Sequence, residues 1–214
     1  MSLDHDSNDQ YRLVYRYLKS PTILFSTLLL IVYVLFSVAA GDFINPVDSA
    51  VNKNPFLLLY LAQCNRCILT PADAPLWTPW TLITSIFLHA TILHLASNVF
   101  FLLIFGYILE EQIGSKRLWI EIFIFTGVAG NLTFLAVYAL AGPDVIGVFG
   151  VGASGAVYGI LGAAAGLKIA VVLILVIGLD IYAGGGFFAH IGGLVTGIVI
   201  RKFWITRLED KAIE

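Results

Sequence analysis

The chain has 214 residues, of which 59% are hydrophobic, and only 26 carry a formal charge, 12 Lys or Arg and 14 Asp or Glu. This charged share of 12% is about half that of an average soluble protein. Such a composition excludes a soluble enzyme, a nucleic-acid-binding protein and a disordered chain, and the net charge of −2 favours no polyanionic partner. It predicts a polytopic protein of the lipid bilayer. Two cysteines cannot build a disulfide framework or a four-thiolate zinc site.

Charged residues, together with breaks that contain glycine and proline, divide the chain into apolar blocks. The predicted membrane helices are residues 21–40, 90–109, 118–140, 154–167, 169–183 and 187–204, which together define an all-α, six-helix membrane bundle. The fourth and fifth are short for a ~30 Å hydrocarbon core, which needs about 20 residues. A short helix is tolerated where one end stops inside a protein-lined cavity. Residues 41–80 are predicted as a long outer loop, functional or folded against the bilayer surface.

The placement of Lys and Arg supports this count. With six spans and an inner N-terminus, ten of the twelve basic residues lie inside, and only Lys53 and Arg66 lie outside. An odd number of spans would place the basic C-terminal tail outside. The sequence therefore predicts a multi-pass protein of the cell membrane, with a membrane domain at 21–204 and cytoplasmic tails at 1–20 and 205–214.

Three of the four histidines, His89, His94 and His190, lie in or beside apolar helices. Imidazoles are costly at membrane depth and mark functional sites, although a lone histidine can equally form a hydrogen bond between helices. His94 and Asn98 are four residues apart and share one helix face. They are either two donors for an oxyanion or polar contacts between helices.

The segment Gly152-Ala153-Ser154-Gly155 opens the fourth predicted helix. A serine at this place can be an N-cap. The small residues around it, however, leave its hydroxyl open to a partner, and amides at a helix start can serve an oxyanion. Tyr158 lies one turn below on the same side.

Glycines recur at helical spacing on two predicted helices: Gly155, Gly159, Gly162 and Gly166 on the fourth, and Gly193 and Gly197 on the sixth. Such stripes let two membrane helices approach closely. If they face each other, Ser154 and His190 lie at the outer ends of touching helices, as a nucleophile and a general base. No carboxylate stands at an obvious third position, and ring packing by Tyr158 could orient His190 instead. Leu194 would then lie on the lipid side, provided that its face is exposed.

Taken in chain order, these motifs resemble those of the rhomboid intramembrane serine proteases. The matching elements are His89-x4-His94-x3-Asn98, Glu110-x3-Gly114, Gly152-x-Ser154-Gly155 followed by Tyr158, and Ala189-His190-x2-Gly193-x3-Gly197. Each motif alone is weak, but four in the correct order on the right helices are highly specific.

The resemblance implies a mechanism and a substrate class. Ser154 is implied as the nucleophile and His190 as the base, with the Ser154 amide, His94 and Asn98 as the oxyanion hole. His89 is implied as a structural hydrogen-bonding residue, and 41–80 as a half-embedded lateral loop. The supporting positions are Tyr158, Gly152, Gly155, Gly193, Gly197 and Glu110. The implied reaction is peptide hydrolysis in single-spanning membrane proteins near the outer face of the bilayer, without metal or cofactor.

Two other functions are compatible with an apolar helical bundle. The first is a catalytically weak or inactive rhomboid-like protein that binds membrane proteins, and the second is a small transporter, which would favour internal repeats. A zinc-dependent intramembrane protease needs His-Glu-x-x-His, which is absent, and an aspartyl type needs two acids at depth, where Asp180 lacks a partner. The family often has Trp-Arg before the second helix, whereas this chain has Trp80-Thr81. Cys64-x2-Cys67 indicates two incidental cysteines or a local disulfide.

Overall fold

The computed structural model describes residues 19–69, 78–142, 149–166 and 186–206. In chain order its helices are α1 (Pro21–Ala40), α2 (Pro46–Lys53), α3 (Pro55–Leu61), α4 (Asn65–Leu69), α5 (Thr81–Thr84), α6 (Ile92–Ile113), α7 (Lys116–Ala141), α8 (Ser154–Ala165) and α9 (Phe187–Ile200). A 3-10 turn, Ser85–Phe87, follows α5, and a π-helical turn, Arg201–Ile205, continues α9. Two short strands, β1 (Gln63–Cys64) and β2 (Phe149–Gly150), pair antiparallel.

Four of the described helices are long and apolar enough to cross a bilayer: α1, α6, α7 and α9 with its π-helical turn. Their bounds agree within four residues with the predicted first, second, third and sixth helices. Helix α8 has 12 residues and is too short to cross the hydrocarbon core alone. The predicted fifth helix, 169–183, lies outside the described residues. The chain is thus a multi-pass, helical membrane protein.

Polar residues between the apolar blocks determine where the spanning helices begin and end. Hydroxyl groups accept an amide hydrogen bond at three helix starts, Ser20 at α1, Thr91 at α6 and Ser115 at α7. Gly41 and Gly114 end α1 and α6 with φ angles of +70° and +60°, a conformation that favours glycine. These short signals explain why the sequence alone located the spans well.

Residues 41–80 were predicted as a loop, but the described part of this segment contains three short helices, α2, α3 and α4. Pro46 and Pro55 occupy the first turns of α2 and α3, where the fixed φ of proline favours a helix start. The Trp80 indole donates to the Tyr60 carbonyl oxygen at 3.1 Å, and the two rings stack. Trp80 therefore anchors the segment, although threonine rather than arginine follows it.

Strand β1 connects this segment to the residues that precede α8. Gln63 pairs with Gly150, and Cys64 pairs with Phe149. Cys64 is buried and disulfide-bonded, which favours the disulfide interpretation of the two cysteines over the incidental one. The short sheet thus joins two parts of the chain that are far apart in sequence.

Helix α8 is the centre of the bundle. Nine of its twelve residues are buried, and it packs against α6, α7 and α9. Since protein encloses it on most sides, it needs neither the length nor the broad apolar surface of a lipid-facing helix. Larger side chains fill the space between α1 and α7, where the rings of Trp119 and Phe123 lie 5.4 Å and 4.8 Å from that of Phe25.

Polar contacts join the helices at the end of the bundle where α6 stops and α7 starts. The Glu110 carboxylate accepts hydrogen bonds from Ser20 Oγ at 2.6 Å and Thr22 Oγ1 at 3.0 Å, which ties α1 to α6. Arg201 donates to Gln112 and to the last carbonyl groups of α8. Carbonyl groups at a helix C-terminus lack intrahelical partners, so Arg201 satisfies the end of α8 while it ties α8 to α9.

Candidate active site

Ser154 is the first residue of α8 and lines a cavity. Ala153 occupies the cap position, and no side chain caps the helix. The Ser154 hydroxyl is therefore not an N-cap, which was one of the two interpretations from sequence. The first amides of a helix have no acceptor within the helix, and the Ser154 N–H is the first of these amides in α8.

The two glycine stripes face each other, which is the condition on which the predicted Ser154–His190 pair depends. The facing pairs are Gly193 with Gly155 and Gly197 with Gly159. A Cβ on either α9 glycine would overlap the carbonyl group of its partner, so only glycine permits this approach. At the start of α8, a Cβ on Gly155 would lie 3.4 Å from the carbonyl oxygen of Ala189, the residue before His190. The contact therefore brings the chain next to Ser154 against the chain next to His190.

The conditional expectation for Leu194 is wrong. Leu194 is only 6% exposed, and a Cβ on Gly162 would come within 2.6 Å of its carbonyl oxygen. Leu194 lies on the side of α9 that packs against α8, while Val195 is 53% exposed. The lipid-facing side of α9 therefore includes Val195 and not Leu194.

The imidazole of His190 is held between a ring and a backbone. The Tyr158 ring stacks on it with centroids 4.4 Å apart and planes 4° apart. Gly186 is the residue immediately before α9, on the other side of the imidazole. A Cβ on Gly186 would lie 2.7 Å from His190 Cε1, so a side chain at this position would displace the ring. Ring packing by Tyr158 was one of the possibilities from sequence, whereas Gly186 was not predicted, although the run of three glycines at 184–186 was an available signal.

His94 and Asn98 face the same cavity from α6. Asn98 is 4% exposed, and its Nδ2 donates to the His94 carbonyl oxygen at 2.8 Å. The His94 ring lies against Gly152, where a Cβ would be 2.6 Å from Cε1. Gly152 also has a φ of +130°, which L side chains rarely adopt. Both the ring contact and the backbone conformation therefore require glycine at position 152.

His89 lies before α6 and is fully buried. Its Nε2 accepts the amide hydrogen of Ala153 at 3.4 Å, which requires an unprotonated Nε2. Burial above all, together with the neighbouring His94, lowers the pKa of His89 to about 3. A neutral His89 therefore holds the amide next to Ser154, and its ring meets His94 edge to face at 5.1 Å.

These residues surround one cavity of about 690 Å³. Six of the residues singled out from sequence line it: Gly152, Ser154, Tyr158, His94, Asn98 and His190. His89 lies outside this lining, against His94, and Gly155, Gly193 and Gly197 form the helix contact beneath it. Glu110 belongs to the opposite end of α6. In the described ranges, no group of three or more His, Cys, Asp or Glu side chains could hold a metal ion.

Helix α7 forms a third wall of the site, which was not predicted from sequence. A Cβ on Gly130 would lie 2.7 Å from the Ala189 carbonyl oxygen and 3.2 Å from Gly155 Cα. Helix α7 thus crosses α8 and α9 where Gly155 and Ala189, the chain neighbours of Ser154 and His190, lie close together. The pair Gly127 and Gly130 in the third predicted helix was the signal for this contact.

Comparison with known proteins gives the family. The rhomboid domain family matches residues 76–207, which is 132 of the 214 residues. Rhomboid-like protease 3 of Toxoplasma gondii is 29% identical over 61% of this chain and 54% of its own length. Rhomboid-like protein 11, chloroplastic, of Arabidopsis thaliana is 42% identical over 40% of this chain and 28% of its own length.

A third relative, RHOMBOID-like protein 6, mitochondrial, of Arabidopsis thaliana, is 32% identical over 56% of this chain and 42% of its own length. The chain thus matches about half or less of the length of these curated relatives. The family's domain nevertheless covers most of this chain, including every residue of the candidate site. The chain therefore belongs to the rhomboid family.

Proposed function

We propose that this chain is an intramembrane serine protease that hydrolyses peptide bonds of single-spanning membrane proteins near the outer membrane face. The observation that carries the proposal is that Ser154, His190, His94 and Asn98 line one cavity. A hydroxyl, an imidazole and hydrogen-bond donors in one place are the groups that acyl transfer requires. Membership of the rhomboid family supports the same reaction, and one relative is named a protease.

In the proposed reaction Ser154 is the nucleophile and His190 is the general base. His190 takes the hydroxyl proton as Ser154 Oγ bonds to the carbonyl carbon of the scissile peptide. The tetrahedral intermediate then collapses, the C–N bond breaks, and His190 returns the proton to the leaving amine. A water molecule gives its proton to His190 and attacks the acyl ester, and release of the acid restores the Ser154 hydroxyl. Each proton passes through His190, so the proposed cycle balances without a cofactor.

Three donors stabilise the oxyanion in this proposal. They are the Ser154 N–H at the start of α8 and the side chains of His94 and Asn98 on α6. Donors that are placed before the reaction begins lower the barrier, because nothing must reorganise as the charge develops. The contact between His94 and Gly152 keeps α6 close to the start of α8, which supports a shared role for these groups.

Tyr158 takes the orienting role that a carboxylate has in many serine proteases. None of the Asp or Glu residues in the described ranges lines the cavity. The stacked ring of Tyr158 and the backbone at Gly186 instead restrict His190 to one plane. Packing can orient an imidazole as a hydrogen bond does, because either removes its rotational freedom before the reaction.

The distribution of basic residues supports an outer location for the cavity. Lys19 and Lys116 are hydrogen-bonded neighbours where α1 and α7 begin, and Arg201 joins the end of α8 to the end of α6. The cavity lies at the other ends of α6, α8 and α9. Because basic residues favour the cytoplasmic side, we propose six spans with cytoplasmic tails, a cell-membrane location, and residues 41–80 as the outer lateral segment.

The proposed substrates are cut at small residues in helix-unstable stretches. A peptide bond within an intact transmembrane helix has its carbonyl oxygen bonded along the helix and shielded by side chains. A stretch that unwinds easily presents an extended backbone, and small side chains allow it to approach Ser154.

The test is reaction of the detergent-purified chain with a fluorophosphonate probe, alongside cleavage of a single-spanning substrate. We expect Ser154→Ala and His190→Ala to abolish cleavage, and Ser154→Ala to abolish labelling. The control is Ser26→Ala on α1, whose buried hydroxyl makes no hydrogen bond to any residue of the described ranges; it should behave as wild type. A folded wild-type chain that neither labels nor cleaves would favour a non-catalytic, membrane-protein-binding rhomboid. Inhibition by a chelator would contradict a serine mechanism.

A further inference from the structure

Asn131 is a polar residue in the spanning helix α7, and its side chain reaches the segment that precedes α6. Its Nδ2 donates to the Leu82 carbonyl oxygen at 2.7 Å and to Ser85 Oγ at 3.0 Å. An amide in an apolar helix is costly unless its hydrogens are bonded. Two acceptors on one short segment satisfy the Asn131 Nδ2 group, and they hold this segment at a set distance from α7.

Ser85 passes this restraint to the residues before Ser154. It is 1% exposed, and its carbonyl oxygen accepts the amide hydrogen of Gly152 at 2.9 Å. The next amide, that of Ala153, is bonded to His89. The successive amides of Gly152 and Ala153 therefore tie the start of α8 to residues 85–89. Asn131 restrains the first of these two contacts, because it is hydrogen-bonded to Ser85.

A second set of hydrogen bonds connects Asn131 to the residues that precede Ser154. Gln63 is fully buried, and its Nε2 donates to the Asn131 carbonyl oxygen at 3.0 Å. Gln63 also pairs with Gly150 across the β1–β2 ladder. Asn131 thus contacts both elements, the 3-10 turn and strand β1, that hold residues 149–153 in place ahead of Ser154.

We infer that Asn131 is a positioning residue for Ser154, an inference that rests on the proposed protease function. Without the amide donors, the segment around Ser85 can shift relative to α7, and residues 149–153 move with it. The glycine contacts between α8 and α9 lie elsewhere and keep the bundle folded. A displacement of about 1 Å at a reacting group costs ~10²-fold in rate. We therefore expect Asn131→Ala to lower kcat about 10- to 100-fold, with KM changed by less than about two-fold.

The experiment is time-resolved labelling of the full purified chain with a fluorophosphonate, below the melting temperature of every variant. The final labelled fraction reports how much protein is folded, and the rate constant reports the geometry of Ser154. Asn131→Ala, and Asn131→Leu, which keeps the branched shape of the side chain without its hydrogen-bonding atoms, should reach the wild-type fraction with a rate constant about 10- to 100-fold lower. The control is Leu109→Ala, because Leu109 is fully buried near the end of α6 that is far from Ser154. This variant should lower the melting temperature and leave the rate constant unchanged.

Two results would overturn the inference. A wild-type rate constant in both Asn131 variants, with or without a reduced labelled fraction, would show that Asn131 serves stability alone. Absence of labelling in wild type would overturn the proposed function and this inference with it, whereas a labelled wild type with unaffected Asn131 variants overturns this inference only.

The route through Ser85 has its own test. Ser85→Ala removes one acceptor of Asn131 and leaves the carbonyl that binds Gly152, so its loss in rate should be smaller than that of Asn131→Ala. In the Asn131→Ala background it should lower the rate no further, because residues in one hydrogen-bond network are not additive. Fully additive losses would contradict a route through the Ser85 hydroxyl.

Discussion

The glycine contact between α8 and α9 can be tested without touching a catalytic atom. Gly197 lies seven residues beyond His190, which is about 10 Å along the helix axis. A Cβ at this position would overlap the Gly159 carbonyl oxygen and lie 2.8 Å from the carbonyl carbon, where ordinary contacts begin at 3.4 Å. To restore an ordinary distance between this Cβ and the carbonyl carbon, the two helices must separate by about 0.6 Å. The carbonyl oxygen is closer still, so it requires a larger separation. We therefore expect Gly197→Val to push α9 away from α8 by roughly 1 Å.

This displacement should affect stability and activity together. Overpacking of this kind typically destabilises a protein by about 1–3 kcal/mol, and about 1 Å at a reacting centre costs ~10²-fold in rate. Gly197→Val should thus melt earlier and cleave substrate much more slowly than wild type, with Gly197→Ala between them. The assays are a melting curve and a cleavage rate on detergent-purified variants.

The matched control for this experiment is Val195→Ile. It also adds carbon to α9, but at a residue that is 53% exposed, so both properties should remain at wild-type values. Leu194 cannot serve as the control because it is buried. Wild-type stability and rate in Gly197→Val would refute the tight contact between the glycine stripes, and with it the packing argument for a Ser154–His190 dyad.

Two further predictions concern the histidines and Asn98. Asn98→Ala and His94→Ala should each fold and lower kcat by ~10²–10³, the usual loss for one oxyanion donor; an unchanged rate in Asn98→Ala would assign Asn98 to helix packing. The pKa of His89 lies near 3 in the folded chain, below its ordinary value of 6.5. Between these values the unfolded chain binds a proton that the folded chain does not, so stability falls as the pH falls, by up to about 1.4 kcal/mol per pH unit. Melting curves at pH 7 and pH 5 should therefore differ less in His89→Gln than in wild type, and equal differences would contradict a buried, neutral His89.

Much of the candidate site followed from sequence because its signals are local. Ser154 and Tyr158, or His94 and Asn98, are one helical turn apart, so their spacing alone places each pair on one face. The glycine stripes then indicated which helices touch, because only small residues permit such an approach. Gly186, Gly130 and Asn131 were missed, since their importance depends on contacts with residues that are distant in sequence.

The sequence by itself determined the class of protein, four of the spanning helices and the order of the rhomboid motifs. Long apolar blocks, capping hydroxyls and terminal glycines are local signals, because each lies within a few residues of the helix or helix end that it specifies. Only the tertiary structure decided which side of α9 faces lipid, because a membrane helix is apolar all round and its pattern does not mark a buried face. It also decided that the described part of 41–80 contains three short helices, that α7 closes the site, and that His89, Ser85 and Gln63 hold the chain before Ser154. Those contacts depend on how separate helices and strands pack against one another, and no local signal specifies that packing.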